Sequence, residues 1–322
     1  MGFYWVNREW NVRPASRIAG TTRANAFGMR NATLPINAHS VRVVPVARRA
    51  HQFGEHAVLA PLARGGMGGV YMACNVTTGA RVALKVLDPQ FANHAEIVGR
   101  LYGEHAIASR IRHPGVLDIR GASRTTENIP YLIMEYLDGE NLGTLADREQ
   151  LSIDRIISIG AQVAAATAAL HDAGVIHCDI KPDNIFVLAG SNRIKVIDFG
   201  VSRFIDDPPT DDGAIAGTPW CMAPEQWDGA PVPATDVYAL GCTLYELVTG
   251  SPPFSGSLPE LMLAHLEQRP ARPSWLRAIP MELERLILRS LAKDPAQRPT
   301  MHELAYELGA SSYTTVALTH AA

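Results

Sequence analysis

The spacing of apolar residues changes near Asp138-Gly139, and this change constrains the fold more than any other feature of the 322-residue chain. Before it, glycine turns separate short β-prone runs, which predict strands over residues 57–63, 69–74, 81–87, 116–119 and 131–135. One helix is predicted in this part, over 96–111. After it, helical spacing predicts helices over 154–173, 235–249, 258–267, 281–292 and 302–308. This order predicts an α+β fold of two lobes, with a small antiparallel sheet and one helix in the first, a larger and mainly helical second lobe, and a cleft between them.

Composition and charge narrow the class of protein. Hydrophobic residues make up 47% of the chain and charged residues 19%, as in ordinary globular proteins, and the net charge of −3 gives no reason to expect nucleic-acid binding. The four cysteines form no metal-binding spacing, which predicts reduced thiols in a cytoplasmic protein. No run of about 18 apolar residues is present, so no transmembrane segment is expected, and the most apolar stretch, residues 161–170, is predicted to be a buried helix.

The N-terminal region differs from the rest of the chain. Residues 1–50 carry eight arginines and one acidic residue, whereas the remainder carries 21 basic and 31 acidic side chains. The absence of a sustained period predicts a disordered, Arg-rich tail over residues 1–52. A transit peptide and a misassigned start codon are alternative explanations. Myristoylation at Gly2 is not expected, because Val6 stands where that motif needs Ser or Thr.

Two short motifs in the second half of the chain carry groups that suit metal-assisted phosphoryl transfer. The first, residues 177–184, reads His-Cys-Asp-Ile-Lys-Pro-Asp-Asn, and the second, residues 198–200, reads Asp-Phe-Gly. Such a transfer needs an acid to orient a hydroxyl, a cation for the phosphoryl group and two oxygen ligands for Mg²⁺. With these motifs the chain resembles the protein kinases, and Lys181, two residues after Asp179, is typical of their serine/threonine branch.

The resemblance implies a role for each chemical group. Asp179 is the expected catalytic base, and Lys181 is expected to neutralise the transferred phosphoryl group. Asn184 and Asp198 are expected to hold Mg²⁺, with Mn²⁺ left open. Thr218, in a Gly-Thr-Pro sequence, resembles the residue that bridges the catalytic aspartate and lysine, and is therefore expected to be catalytic rather than a site of phosphorylation.

A second group of motifs predicts nucleotide binding by the first lobe. Residues 62–71 form a glycine-rich turn between two predicted strands, and glycines let a backbone approach phosphates closely. Lys85 follows on the third strand, and the resemblance implies that it holds the α- and β-phosphates of ATP and pairs with Glu104. The chain has only four lysines against 25 arginines, so the lysines at 85 and 181 suggest a need for a compact ammonium.

The glycine-rich turn departs from the family pattern Gly-x-Gly-x-x-Gly at its first position, which is Ala63. Gly65 and Gly68 keep the other two positions, so a modest loss of nucleotide affinity is expected. The resemblance also implies the residues that surround the adenine: Leu62, Val70 and Ala83 above the base, Phe186 below it, Met134 as gatekeeper, and a hinge that contains Glu135 and Leu137.

Cys178 is the most informative departure from the family, since most of its members have arginine before the catalytic aspartate. That arginine gathers a phosphate on the activation loop, here predicted over residues 201–220, and couples loop order to activity. The resemblance is therefore to kinases that lack it, whose activity often does not depend on loop phosphorylation. A small buried residue is the favoured interpretation of Cys178 over a redox-active thiol. Thr210 is the favoured autophosphorylation site, followed by Ser202.

Further motifs separate protein kinases from small-molecule kinases. They are Ala-Pro-Glu at residues 223–225, the helix sequence at 236–241, and Arg298, which is expected to form a buried ion pair with Glu225. The predicted kinase domain spans 53–309, with an N-lobe over about 53–137 and a C-lobe over about 138–309, and a C-terminal tail covers 310–322.

The closest resemblance is to bacterial serine/threonine kinases of eukaryotic type, here expected to be soluble and to consist of the catalytic domain alone. ATP and protein substrates are the expected partners, and a homodimer is left open. Two alternatives remain: an inactive kinase-like scaffold that only binds partners, and a kinase that acts on a small molecule. Loss of the Asp179 carboxylate would abolish the activity of an enzyme and leave a scaffold able to bind its partner.

Overall fold

The computed structural model describes residues 52–208 and 217–319; the tail up to residue 51 and the segment that contains Thr210 lie outside the described residues. The N-lobe is a six-stranded antiparallel sheet with the order β1-β2-β3-β4-β6-β5. Its strands are β1 (Gln52–Phe53), β2 (His56–Gly65), β3 (Gly68–Asn75), β4 (Arg81–Leu87), β5 (Ile119–Arg124) and β6 (Pro130–Glu135).

One helix, α1 (Ala95–Ala108), packs against β5 and β6. Its buried residues Ile97, Leu101 and Ile107 recur at helical spacing, so one face of the helix closes over the sheet. The helix ends at Ala108, three residues before the predicted end, because the next turn tightens into i to i+3 hydrogen bonds.

The strand predicted over residues 116–119 is wrong in position. The ladder of β5 begins only at Ile119, and Val116 forms an isolated parallel bridge with Val196. The backbone of this segment is paired with the C-lobe instead: Leu117 N donates to Val196 O at 3.0 Å, and Val196 N donates to Gly115 O at 2.7 Å. An apolar run predicts that a segment is buried, but it does not say which partner takes its hydrogen bonds.

The C-lobe is built around α3 (Ile153–Asp172), which packs against α5 and α8. Ser152 caps this helix by accepting a hydrogen bond from Arg155 N. Its length and composition would also suit a membrane span, but 56% of its apolar window is buried inside the protein, as in a core helix. The other helices of this lobe are α2 (Leu142–Arg148), α4 (Pro224–Trp227), α5 (Pro233–Thr249), α6 (Leu258–Glu267), α7 (Met281–Ser290) and α8 (Met301–Thr319).

Two small sheets, which the sequence did not predict, anchor the motif-bearing loops. One has the order β10-β9-β7, with β7 (Gly139–Asn141), β9 (Ile185–Leu188) and β10 (Ile194–Val196), and the other pairs β8 (Val175–Ile176) with β11 (Arg203–Phe204). Residues 177–184 therefore run between β8 and β9, and residues 198–200 run between β10 and β11. Each motif is thus held at both ends by strand pairing.

A continuous cluster of buried apolar side chains runs through both lobes, from Leu132 of the sheet to Ile156 of α3 and Leu244 of α5. A smaller cluster around Leu84 and Tyr131 forms a second apolar contact within the N-lobe sheet. The predicted α+β architecture, with an antiparallel sheet and one helix in the first lobe and a larger, mainly helical second lobe, is confirmed. None of the four cysteines, all of which fall within the described ranges, forms a disulfide.

Candidate active site

Asp179, Lys181 and Thr218 meet in one hydrogen-bonded cluster. Lys181 Nζ lies 2.8 Å from Asp179 Oδ2. The Thr218 hydroxyl donates to Asp179 Oδ1 at 2.6 Å and accepts from Lys181 Nζ at 2.5 Å. Both charged side chains are largely shielded from solvent, with 13% of the Asp179 side chain and 20% of the Lys181 side chain exposed, so their charges act with less screening than in water.

Asn184 is joined to the same cluster through its amide nitrogen. The Nδ2 group donates to the backbone oxygen of Asp179 at 2.9 Å and to Asp179 Oδ2 at 2.8 Å. Because the nitrogen is committed to Asp179, the amide oxygen of Asn184 is the atom that is left to ligate a cation.

Buried side chains of the C-lobe hold the backbone of the loop that carries Asp179. Asp236 of α5 has 0% exposure, and its two oxygens accept the backbone N–H groups of His177 and Cys178, each at 2.8 Å. His171 Nε2 lies 2.9 Å from the same carboxylate. Gln226 Nε2 donates to Cys178 O at 2.8 Å. These bonds stabilise Cys178 at a φ of 64°, a left-handed conformation that costs a non-glycine residue about 1 kcal/mol.

The environment of Cys178 favours a structural residue over a reactive thiol. The residue is 4% exposed, and its thiol lies 3.8 Å from Ile176 O. Burial, together with the negative charge of Asp236, raises the pKa of the Cys178 thiol well above its ordinary value. The thiolate that redox chemistry requires is therefore disfavoured at this position.

On the nucleotide side, Lys85 of β4 and Glu104 of α1 form an ion pair between the sheet and the helix. Lys85 Nζ lies 2.8 Å from both carboxylate oxygens of Glu104 and 3.1 Å from Asp198 Oδ1. Burial opposes the charge of Lys85, but Glu104 and then Asp198 outweigh it and raise the pKa of Lys85 above its ordinary value. The ammonium therefore stays charged, and it connects both lobes through carboxylates.

Asp198 has a donor arrangement that suits a divalent cation. Its backbone is left-handed, with a φ of 66°, and its Oδ1 takes the contacts with Lys85 Nζ and with Gly200 N, the latter at 3.4 Å. Burial opposes ionisation, but Lys85 holds the pKa of Asp198 below its usual range, so the carboxylate is charged. Oδ2 is then the oxygen left for a cation.

The donor set fits Mg²⁺, which prefers oxygen ligands and usually takes only one or two from protein carboxylates. In the part of the chain that the structure describes, no three His, Cys, Asp or Glu side chains group as a metal cluster. A cation held by Asn184 and Asp198 would therefore need phosphate and water oxygens to complete its coordination shell.

The residues that follow Asp198 are positioned by packing. Phe199 is 1% exposed, and its ring meets the His177 ring edge-on with centroids 5.5 Å apart. A Cβ at Gly200 would lie 3.3 Å from both Asp198 Oδ1 and Glu104 Oε1, so glycine leaves room for the two carboxylates.

Gly65 and Gly68, the two glycines that keep the family pattern, have different surroundings. A Cβ at Gly68 would lie 2.1 Å from Val86 O of the neighbouring strand, whereas a Cβ at Gly65 would meet nothing within 4 Å. Gly68 is thus required by the packing of β3 on β4. Ala63 pairs with Val70 in the ladder of β2 and β3, in an extended conformation that alanine adopts without strain.

The predicted adenine-lining residues differ in burial. Ala83 and Met134 are buried and face each other across β4 and β6. Leu62 is 46% exposed, as expected for an apolar residue that a ligand would cover. Val70, Leu137 and Phe186 are half-buried.

Sequence reasoning did not identify the contacts that Gln226, His171 and Lys195 make. Gln226 and His171 are single polar residues whose partners lie 48 and 65 positions away, and no periodicity marks them. Lys195 lies 2.5 Å from Glu135 of the predicted hinge, and the scarcity of lysine was the signal that could have revealed it.

Comparison with known proteins agrees with this geometry. Residues 57–307 match the family described as protein kinase domain. The chain is similar to serine/threonine-protein kinase Pkn1 of Myxococcus xanthus, with 39% identity over 253 residues that cover 76% of this chain and 36% of that protein. It is also similar to PknD of Mycobacterium tuberculosis, with 38% identity covering 77% of this chain and 38% of that protein. PknB of Mycobacterium leprae is 36% identical, covering 73% and 39%. The chain spans less than half the length of the curated relatives that it matches.

Proposed function

Because the chain belongs to the protein kinase domain family, we propose that it is a serine/threonine protein kinase that transfers the γ-phosphate of ATP to Ser and Thr hydroxyls of proteins. The observation that carries the proposal is the cluster in which Thr218 bridges Asp179 and Lys181 while Asn184 is bonded to the same aspartate. These residues come from two loops 34 positions apart, counted from Asn184 to Thr218, yet they share one carboxylate.

Each residue of the cluster has a chemical task. Asp179 orients the acceptor hydroxyl and takes its proton late in the transfer. Lys181 places a positive charge beside that carboxylate, where it neutralises charge on the moving phosphoryl group. Thr218 fixes the distance between the two, because its hydroxyl bonds to both.

The N-lobe supplies nucleotide binding. Lys85, which is held by Glu104, would contact the α- and β-phosphates, and the glycine-rich turn would offer backbone N–H groups to them. Asn184 and Asp198 would hold a divalent cation, and Mg²⁺ is our assignment, with Mn²⁺ as the alternative. When bound, the cation would neutralise negative charge on the phosphates. The adenine would occupy the slot lined by Leu62, Val70, Ala83, Met134, Leu137 and Phe186.

We further propose that activity does not require phosphorylation of the activation loop. Cys178 supplies no cation to gather a phosphate, and the start of the loop is already ordered by other contacts. Arg203 donates to the backbone oxygens of Asp207 and Pro208, and β11 pairs with β8. The Ser202 hydroxyl donates to His177 O at 3.1 Å, which makes Ser202 a structural donor and leaves Thr210 as the favoured autophosphorylation site. A Thr210→Ala variant should then keep most of the wild-type transfer rate.

We propose a cytoplasmic location, where thiols are kept reduced, because the four cysteines form no metal-binding spacing and pair in no disulfide in the structure. This assignment is testable by fractionation of cells that express the full gene.

The test of the function is phosphate transfer from γ-labelled ATP with Mg²⁺ to a generic protein substrate, for wild type beside Asp179→Asn. We expect labelled phosphoserine and phosphothreonine with wild type and loss of label with the variant. Label on tyrosine alone would contradict the serine/threonine assignment. Absence of transfer by a wild-type protein that still binds Mg-ATP would favour a scaffold, and transfer only to a small molecule would favour the other alternative.

A further inference from the structure

Two of the four lysines take no part in the proposed chemistry, and one of them, Lys195, contacts the hinge. Lys195 lies on β10 of the C-lobe, and 12% of its side chain is exposed. Its Nζ donates to Glu135 Oε1 at 2.5 Å and to Val116 O at 3.0 Å. A single C-lobe ammonium therefore joins the last residue of β6 to the linker between α1 and β5.

Glu135 is fixed by its backbone as well as by its carboxylate. The carboxylate oxygen that accepts from Lys195 also accepts from Asp118 N at 2.8 Å, and Glu135 N donates to Asp118 O at 2.9 Å. The Glu135 side chain is 18% exposed, so its charge is largely removed from water and depends on the lysine for compensation.

The linker is itself docked on β10. Leu117 N donates to Val196 O, and Val196 N donates to Gly115 O. Lys195 precedes Val196 in the same strand. Its side chain therefore adds a contact with Glu135 of the hinge to the backbone bonds that Val196 makes with the linker. Three segments, β10, the linker and the end of β6, are thereby held in one arrangement.

We infer that Lys195 is a positioning residue for ATP: by holding Glu135, it sets where the hinge, and therefore the adenine slot, stands relative to the catalytic loop of the C-lobe. The inference rests on the proposed function. Small displacements of a bound substrate matter, because transfer needs the γ-phosphate in line with the acceptor hydroxyl. Lys195 touches neither the nucleotide nor the acceptor in this account, and it acts only through Glu135.

The choice of lysine in a chain rich in arginine supports this role. Its compact ammonium meets two convergent acceptors while 12% of the side chain is exposed, whereas arginine presents its donors in a rigid planar fork. The other unused lysine, Lys293, offers a matched control. It is also partly buried and donates to two backbone oxygens, Ala264 O at 3.0 Å and His265 O at 2.6 Å, both at the end of α6.

The experiment compares wild type, Lys195→Met, Lys195→Arg and Lys293→Met at a temperature well below the melting point of each. The readouts are the Kd for Mg-ADP by calorimetry, and the KM for ATP and kcat from initial rates. For Lys195→Met we expect the Kd and the KM to rise about tenfold while kcat changes about threefold or less, because binding geometry is lost and the catalytic cluster is not. Lys195→Arg, which keeps the charge, should recover part of the affinity.

A merely structural role predicts a different result: a lower melting temperature with unchanged Kd and KM, as we expect for Lys293→Met. Unchanged nucleotide affinity in Lys195→Met, or an equal loss in Lys293→Met, would overturn the inference.

A double-mutant cycle with Glu135→Gln tests the pair directly. Glu135→Gln/Lys195→Met should lose less affinity than the sum of the single variants, and strict additivity would overturn the inference. A wild-type protein that binds Mg-ADP but transfers no phosphate would refute the proposed function, while the Kd series would still decide the role of Lys195.

Discussion

The catalytic loop and the glycine-rich turn are proposed to serve the same nucleotide, but the structure holds them in opposite ways. The catalytic loop is held by side chains from elsewhere in the C-lobe, above all Asp236, which is fully buried. The glycine-rich turn is held by the β2 and β3 ladder, with Gly65 in open space and Leu62 about half exposed.

The two regions should therefore tolerate substitutions to different degrees. A loop fixed by buried polar contacts depends on each partner, because an orphaned buried donor is costly. A turn that is fixed by backbone pairing depends mainly on whether each side chain fits against the neighbouring strand. For this reason, alanine at position 63 in place of the family's glycine is expected to have a mild effect. Substitutions that remove a buried partner of the loop around Cys178 are expected to have a large one.

The largest effect should come from Asp236→Ala. The substitution leaves the buried N–H groups of His177 and Cys178 without acceptors, and we expect the free energy of unfolding to fall by about 5 kcal/mol. Urea denaturation followed by circular dichroism measures this. Asp236→Asn, which keeps one acceptor oxygen, should lose less. A variant as stable as wild type would contradict this prediction, since it would show that the loop needs no buried support.

Acid should destabilise the C-lobe through His265. This residue is 0% exposed, and burial, followed by the nearby charge of Lys293, lowers its pKa to about 3. The unfolded chain has a His pKa of about 6.5, so between about pH 6.5 and pH 3 the unfolded state binds a proton that the folded state does not. Stability is therefore lost as the pH falls through this window, by on the order of 4 kcal/mol in total.

Urea denaturation midpoints measured at about pH 7, 6, 5 and 4 would quantify this loss of stability. His265→Gln, which cannot titrate, should show a flatter dependence on pH. Equal slopes for the two proteins would refute the role of His265.

Gly65 and Gly68 of the turn should respond unequally to substitution by alanine. Gly68→Ala drives a Cβ against Val86 O, and we expect a loss of about 2 kcal/mol. Gly65→Ala has room for its methyl group and should stay within about 0.5 kcal/mol of wild type. Thermal melting of both variants measures the difference. Equal losses would mean that packing does not distinguish the two positions.

The smallest effect is expected at Ala63. Ala63→Gly restores the glycine of the family pattern without relieving strain, because Ala63 is already extended. We expect the KM for ATP to fall by about twofold with kcat unchanged, since only uniform binding is altered. Initial rates at varied ATP provide the test, and a change in kcat of tenfold or more (about 1.4 kcal/mol) would show that the turn acts in the chemical step.

Much of the fold could be predicted because local pattern determines it. The apolar run of β4 and the spacing of α6 gave the boundaries that the structure shows. The strand at 116–119 was misplaced because its partner, Val196, lies far along the chain. The short ladders around β8 and β11 were missed because two residues carry no period.

The residues of the candidate site also fall into those that the sequence could predict and those that it could not. Asp179, Lys181, Asn184 and Asp198 could be proposed from two compact motifs, and the structure brings the first three together with Thr218. The side chains that support the loop carrying Asp179 could not be found from spacing, since Gln226 acts across 48 positions and His171 across 65. Their functional roles remain predictions that the experiments above address.

The central claim is that the catalytic loop performs the chemistry while the N-lobe binds the nucleotide. A substitution in the loop should therefore lower the transfer rate without weakening nucleotide binding. The most direct measurement is the Kd of Mg-ATP, by calorimetry, together with the rate of phosphate transfer, for wild type and Asp179→Asn. We predict a Kd within about threefold of wild type and a transfer rate reduced about a thousandfold. A variant that transfers phosphate at the wild-type rate, or one that loses nucleotide binding in proportion to its rate, would contradict the account.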